Sequence, residues 1–149
     1  MEILNRVARH NYFIEDEYEC GIVLTGTEIK SIREGKANIK DSYAVVKNGE
    51  CFLLNMFISH YKEGNLFNHN ETRTRKLLLH KSEILKLNDR IRLGGYTLIP
   101  LKVYFVKNRA KVLLGLCKGK KNFDKRESIK EKDIQRQLDK ASKNKYYNS

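Results

Sequence analysis

The residues with chemical potential are mostly bases. Arg6 and Arg9 lie near the start of the chain. Arg73, Arg75 and Lys76 form the run TRTRK beside Leu77-Leu78-Leu79. Lys118, Lys120 and Lys121 lead into Asp124-Lys125-Arg126. Lysine and arginine in such clusters neutralise phosphates. Exposed apolar or aromatic groups, here Leu78 and Phe123, suit unpaired bases. The groupings that enzymes need do not occur. There is no phosphate-cradling glycine loop with P-loop spacing, no G-x-S-x-G and no H-E-x-x-H. The four histidines (His10, His60, His69, His80) and three cysteines (Cys20, Cys51, Cys117) lack metal-ligand spacing. Adjacent acids Glu15-Asp16-Glu17 alternate faces if they lie on a strand, so they read as a solvated strand end.

Totals agree with a polyanion partner. The chain has 149 residues, a formal net charge of +12 and 40% hydrophobic residues, enough for one modest core. Residues 118–149 hold eleven Lys/Arg against five Asp/Glu, so half of the net charge lies in about a fifth of the chain. The opening MEILNRVARH lacks the apolar run of a secretory signal, and no stretch approaches a membrane span. Unpaired cysteines suit a reducing compartment. The expectation is a cytoplasmic protein with no membrane, metal or cofactor requirement and no enzymatic activity.

Strands must carry most of these residues. YFIEDEYECGIVL, Tyr12 to Leu24, alternates as half-buried strands do. GTEIKSIREGK predicts a short helix from about Glu28 to Glu34, stopped at Gly35. Two β-rich runs flank Asn48-Gly49, a strong hairpin signal. Residues 62–71 have loop composition. RKLLLH reads as a short strand, and its leucines must alternate faces. KSEILKLNDRIRLGG predicts a helix from Lys81 to Arg92. Two further β-runs flank Lys107-Asn108-Arg109, and Pro100 marks a bulge or an edge. About six strands and two short helices, without a βαβ rhythm, predict a mainly β fold: an antiparallel barrel or sandwich with helices packed on it.

The end of the chain differs in kind. Ile134, Leu138 and Ala141 follow helical spacing, but like charges lie four apart at Lys132, Arg136 and Lys140. Such a segment is expected to be largely disordered when free and helical against a negatively charged partner. The expected division is a folded β domain over 1–121 and a basic tail over 122–149.

Together the motifs NRVARHNYFIEDEYECGIVLTGTEIKSIREGKANIKDSY, TRTRKLLLHKSEI, GGYTLIPLKVYFVKNRAKVLLGLCKGKK and DKRESIKEKD resemble the SmpB family, the SsrA-binding proteins of bacteria. The resemblance runs from Asn5 to about Lys145. It implies an OB-like antiparallel β-barrel with flanking helices. It implies an RNA-binding adaptor that carries the tRNA-like domain of tmRNA to stalled ribosomes for trans-translation, with elongation factor Tu as a further partner through the tmRNA complex. It places Asn5, Glu19 and Leu78 at the RNA-binding surface, and the basic clusters with Arg6, Arg9, Arg73, Arg75 and Lys76 are expected to bind RNA as well. A glutamate there can accept hydrogen bonds from a base's amino group. The family's tail is implied to lie as a helix in the empty mRNA channel of the small subunit. Lys120, Lys121, Lys125, Arg126 and Lys130 would then meet phosphates, with Phe123 near the decoding bases and Asp124 a further residue of the tail that meets the ribosome. Many members carry His or Tyr at the Phe123 position, and phenylalanine can stack there but cannot donate a hydrogen bond. A general RNA-binding or ribosome-assembly protein with the same barrel and basic arm is the alternative.

Overall fold

The computed structural model describes residues 2–63 and 68–120. In chain order these form β1 (Glu2–Leu4), α1 (Ala8–Asn11), β2 (Tyr12–Ile22), α2 (Gly26–Arg33), β3 (Ala37–Asn38), β4 (Tyr43–Lys47), β5 (Glu50–Leu54), β6 (Phe57–Ile58), β7 (Arg75–Leu78), α3 (Lys81–Arg92), β8 (Thr97–Val106) and β9 (Arg109–Gly119). Part of the 62–71 loop and all of the chain after Lys120 lie outside the described residues.

Every pairing is antiparallel, and the strands close on themselves in the order β4-β5-β7-β2-β9-β8, with β8 returning to β4. Of the two architectures that the alternating runs allow, barrel or sandwich, this is the barrel. β1 adds to β8 outside the ring, and β3 pairs with β6 as a separate ribbon. Two hairpins turn on residues with positive φ. Asn48 (φ 54°) and Gly49 (φ 76°) join β4 to β5, and Lys107 (φ 49°) and Asn108 (φ 68°) join β8 to β9. Such two-residue turns match the right-handed twist of the strands they join. The second takes two residues, because Val106 pairs directly with Arg109.

Pro100 sits where the β8–β9 register slips, between Pro100 and Lys102. The kink lets β8 change neighbours along one edge: Leu98 meets β4, whereas Lys102 to Tyr104 meet β1.

Inward residues of the ring, among them Cys20, Leu53, Leu77, Leu98, Val103, Val112 and Leu114, form one core. Ile32 of α2 and Leu87 of α3 join it. α2 begins earlier than its apolar spacing suggests, because Thr25 and Glu28 make a reciprocal cap. The Thr25 N–H donates to Glu28 Oε1 at 2.8 Å, and the Glu28 N–H donates to Thr25 Oγ1 at 3.3 Å. Gly35 (φ 75°) ends the helix as expected. α3 matches its expected bounds, and the Glu83 carboxylate accepts from the His80 N–H at its start. A second, smaller cluster packs α1 through Ala8 onto Ile99, Leu101 and Cys117, outside the main core.

Candidate nucleic-acid interface

The register lines up one row of outward residues across five strands: Leu78 on β7, Gly21 on β2, Lys111 on β9, Tyr104 on β8 and Glu2 on β1. A second row holds Glu19, Leu113, Lys102 and Leu4. The row spans about 20 Å at the usual strand spacing. Its residues face outward because their neighbours Cys20, Leu77, Val103 and Val112 fill the core.

Leu78 is 50% exposed, although Leu77 beside it is buried. Its side chain lies over Gly21: a Cβ at that glycine would stand 3.3 Å from Leu78 Cβ. The bare Gly21 backbone therefore seats an exposed leucine. One position pair away, the Tyr104 hydroxyl crosses β9 and donates to Glu19 Oε2 at 2.5 Å. Lys102 Nζ lies 5.1 Å from the centre of the Tyr104 ring and 3.3 Å from Glu2 Oε2. Burial and the bond to Glu19 push the Tyr104 phenol above its ordinary range, so it stays a donor. Lys76, also outward, pairs with Glu50 at 2.6 Å. The face thus combines an apolar platform, a hydrogen-bond acceptor and several cations. That mixture suits RNA whose bases are splayed out.

The remaining predicted residues divide. Arg75 is fully buried, which corrects the expectation of a phosphate contact. Its Nε donates to Glu28 Oε2 at 2.7 Å, and its terminal nitrogens donate to the carbonyls of Met56, Asn70 and Glu71. Arg73 joins the same carboxylate at 2.7 Å and keeps about a third of its side chain exposed. Burial alone would raise Glu28, but hydrogen bonds from Arg73, the Thr25 backbone and Arg75 bring it down to about 2. Burial lowers Arg75 and hydrogen bonding raises Arg73, yet both remain cations.

Asn5 is also withdrawn, at 6% exposure. Its Nδ2 donates to Ile39 O and Pro100 O, and its Oδ1 accepts from the Ala8 N–H. Its own N–H donates to Leu101 O. Asn5 therefore satisfies carbonyls freed at the β8 bulge and caps the turn into α1. Its amide thus has a role in the fold.

Arg6 and Arg9 are exposed at the α1 end, about 20 Å along β2 from Glu19. Arg9 pairs with Glu17 at 3.2 Å. Lys120 donates to Arg9 O at 3.2 Å and lies 5.2 Å from the centre of the Phe13 ring. The acidic run is divided among local partners: Glu15 pairs with Arg90, Asp16 accepts from the Tyr18 hydroxyl, and Glu17 holds Arg9. The three cysteines are free and buried, and burial pushes Cys51 and Cys117 up to about 11. Lys121, Phe123, Asp124, Lys125, Arg126 and Lys130 lie outside the described residues.

Tyr104, Lys102, Lys111 and Gly21 were not singled out in the sequence. Their signal was strand periodicity, since each is out of phase with a core residue on the same strand.

Comparison with known proteins agrees with this arrangement. The family model "SmpB protein" matches residues 2–144. The SsrA-binding protein of Shouchella clausii (strain KSM-K16) is 58% identical over 139 residues, covering 93% of this chain and 89% of that protein. The SsrA-binding protein of Staphylococcus aureus (strain Newman) is 58% identical over 142 residues, covering 95% and 92%. A solved chain described by the words "tmRNA-SmpB: a journey to the center of the bacterial ribosome" superposes with a TM-score of 0.68 at 48% identity, over 80% of this chain and 84% of that one. With its barrel and its sequence in agreement over nearly the whole length, the chain belongs to the SmpB family.

Proposed function

We propose that this chain binds the tRNA-like domain of tmRNA and delivers it to stalled bacterial ribosomes for trans-translation. It acts as an adaptor in the cytoplasm and carries out no reaction of its own. The observation that carries the reading is the outward face around Gly21, where exposed Leu78, the Glu19 carboxylate and Lys111 converge on a rigid barrel. Phosphate contacts from the lysines set orientation, while Glu19 and Leu78 read bases. Elongation factor Tu meets the complex through the tmRNA.

Residues 122–149 form the second functional part in this reading. They enter the mRNA channel only when no message occupies it, and Lys125, Arg126 and Lys130 bind its RNA wall. Phe123 stacks near the decoding bases. The barrel, 1–121, holds the tmRNA.

The test is the RNA that co-purifies with the protein from bacterial cells at physiological salt. One dominant tmRNA species is expected. A broad mixture of ribosomal and transfer RNA would favour a general RNA-binding protein instead. Deleting 122–149 should leave tmRNA binding largely intact and abolish tagging on stalled ribosomes, and normal tagging by the truncated protein would remove the tail from the mechanism.

A further inference from the structure

We infer that Tyr104 is a positioning residue for base recognition, holding one oxygen of the Glu19 carboxylate so that the other accepts from the exocyclic amino group of an RNA base. The inference rests on the proposed RNA-binding role of the face that both residues share.

Glu19 is exposed on β2, and an exposed glutamate ordinarily samples many rotamers, all lost on binding. Here Oε2 already accepts from the Tyr104 hydroxyl. Tyr104 is itself fixed. Its backbone lies between two paired strands, β9 and β1, and Lys102 covers its ring while Glu2 holds Lys102. The ordering cost of Glu19 is therefore partly met before RNA arrives, which is preorganisation. Gly21, directly between the Leu78 and Lys111 positions, adds no side chain to the approach.

Among the described residues no hydrogen bond reaches Glu19 Oε1. A fixed carboxylate oxygen takes a donor and repels phosphate. Exocyclic amino groups are such donors, carried by adenine, guanine and cytosine and absent from uracil. Lys102 and Lys111 stand on the same face to meet the phosphates of the strand that delivers this base.

The test uses full-length protein and a synthetic tRNA-like domain of tmRNA, with an unrelated hairpin of equal length as control. Wild type, Tyr104→Phe, Glu19→Gln and the double variant are compared. Tyr104→Phe keeps the ring and its lysine contact, so its Tm should stay close to that of the wild type. Its affinity for the tRNA-like domain should fall about fivefold to tenfold. The slope of log Kd against log salt should not change, since no phosphate contact is lost. Control-hairpin affinity should not change. The double variant should bind no worse than Glu19→Gln alone, because Tyr104 acts through Glu19. Wild-type affinity in Tyr104→Phe, or losses that multiply in the double variant, would overturn the inference while leaving the adaptor reading standing. Equal wild-type affinity for the tRNA-like domain and the hairpin would instead overturn the adaptor reading, and the inference with it.

Discussion

Arg75 Nε donates to Glu28 Oε2 at 2.7 Å, and neither side chain is exposed to solvent. The pair joins the first strand after the 62–71 loop to the start of α2. Arg75 also gathers three carbonyls from the β5–β7 connection, so one guanidinium satisfies groups that would otherwise be buried without partners. A run that reads as RNA-binding charge thus divides in two. Arg75 organises the fold, while Lys76 and Leu78 remain on the surface.

Removing the buried anion should expose the importance of that pair. Glu28→Gln leaves two cations facing a neutral amide, and the expected loss of unfolding free energy is about 3–5 kcal/mol. Denaturant unfolding measures it. A loss below about 1 kcal/mol would contradict a structural role.

Acid should act through the same group. The Glu28 carboxyl lies at about 2 in the folded protein against an ordinary value of 4.5. A folded value below the unfolded one means that the stabilisation is complete above pH 4.5 and disappears as pH falls toward 2. Its size is about 3 kcal/mol. Urea midpoints measured across that window should show the decline in the wild type, and the component should be missing in Glu28→Gln.

Adjacent leucines should separate folding from binding. Leu77→Ala empties a core position and should cost about 2–5 kcal/mol of stability. Leu78→Ala should cost under about 1 kcal/mol, because the side chain is half exposed. It should nonetheless weaken binding of the tRNA-like domain. Thermal melts and a binding titration on both variants check this, and the reverse pattern would put Leu78 in the core.

Two basic residues should differ in their salt signatures. Lys111→Ala removes a surface cation and should lower the slope of log affinity against log salt by about 1. Arg75→Met should lower stability and leave the slope of the folded protein unchanged.

The sequence already carried much of this. The bounds of α3, the Asn48-Gly49 turn, the stop at Gly35 and the irregularity at Pro100 all follow from local chemistry that tertiary packing did not override. The two- and three-residue strands β1, β3 and β6 are too short to show a period. The β-runs that flank Lys107-Asn108-Arg109 place the second hairpin, but without a glycine there the sequence does not fix its turn at two residues. Alternation along RKLLL ties Arg75 to the face of Leu77 and sets both against Leu78, but it does not say which of the two faces is the core; the structure makes it that of Arg75 and Leu77. The Arg75 partner Glu28 lies 47 positions away, a separation that no local pattern spans. The role of Asn5 was hidden for the same reason, since the bulge that it serves is 95 positions distant. Lys111 and Tyr104 join Leu78 and Glu19 only through the register of four strands.

Selective recognition by the outward face is read out by competition binding. Labelled tRNA-like domain is bound to full-length wild type and Glu19→Lys, then displaced by unlabelled tRNA-like domain or by an equal-length hairpin at about 0.15 M salt, where the Debye length is about 8 Å. Wild type should release the label to the cognate RNA at far lower concentration than to the hairpin, by a factor of at least about 10³. Glu19→Lys should lose most of that margin despite its added positive charge. Equal displacement by both RNAs, or a wider margin in Glu19→Lys, would mean that this face does not select the tRNA-like domain.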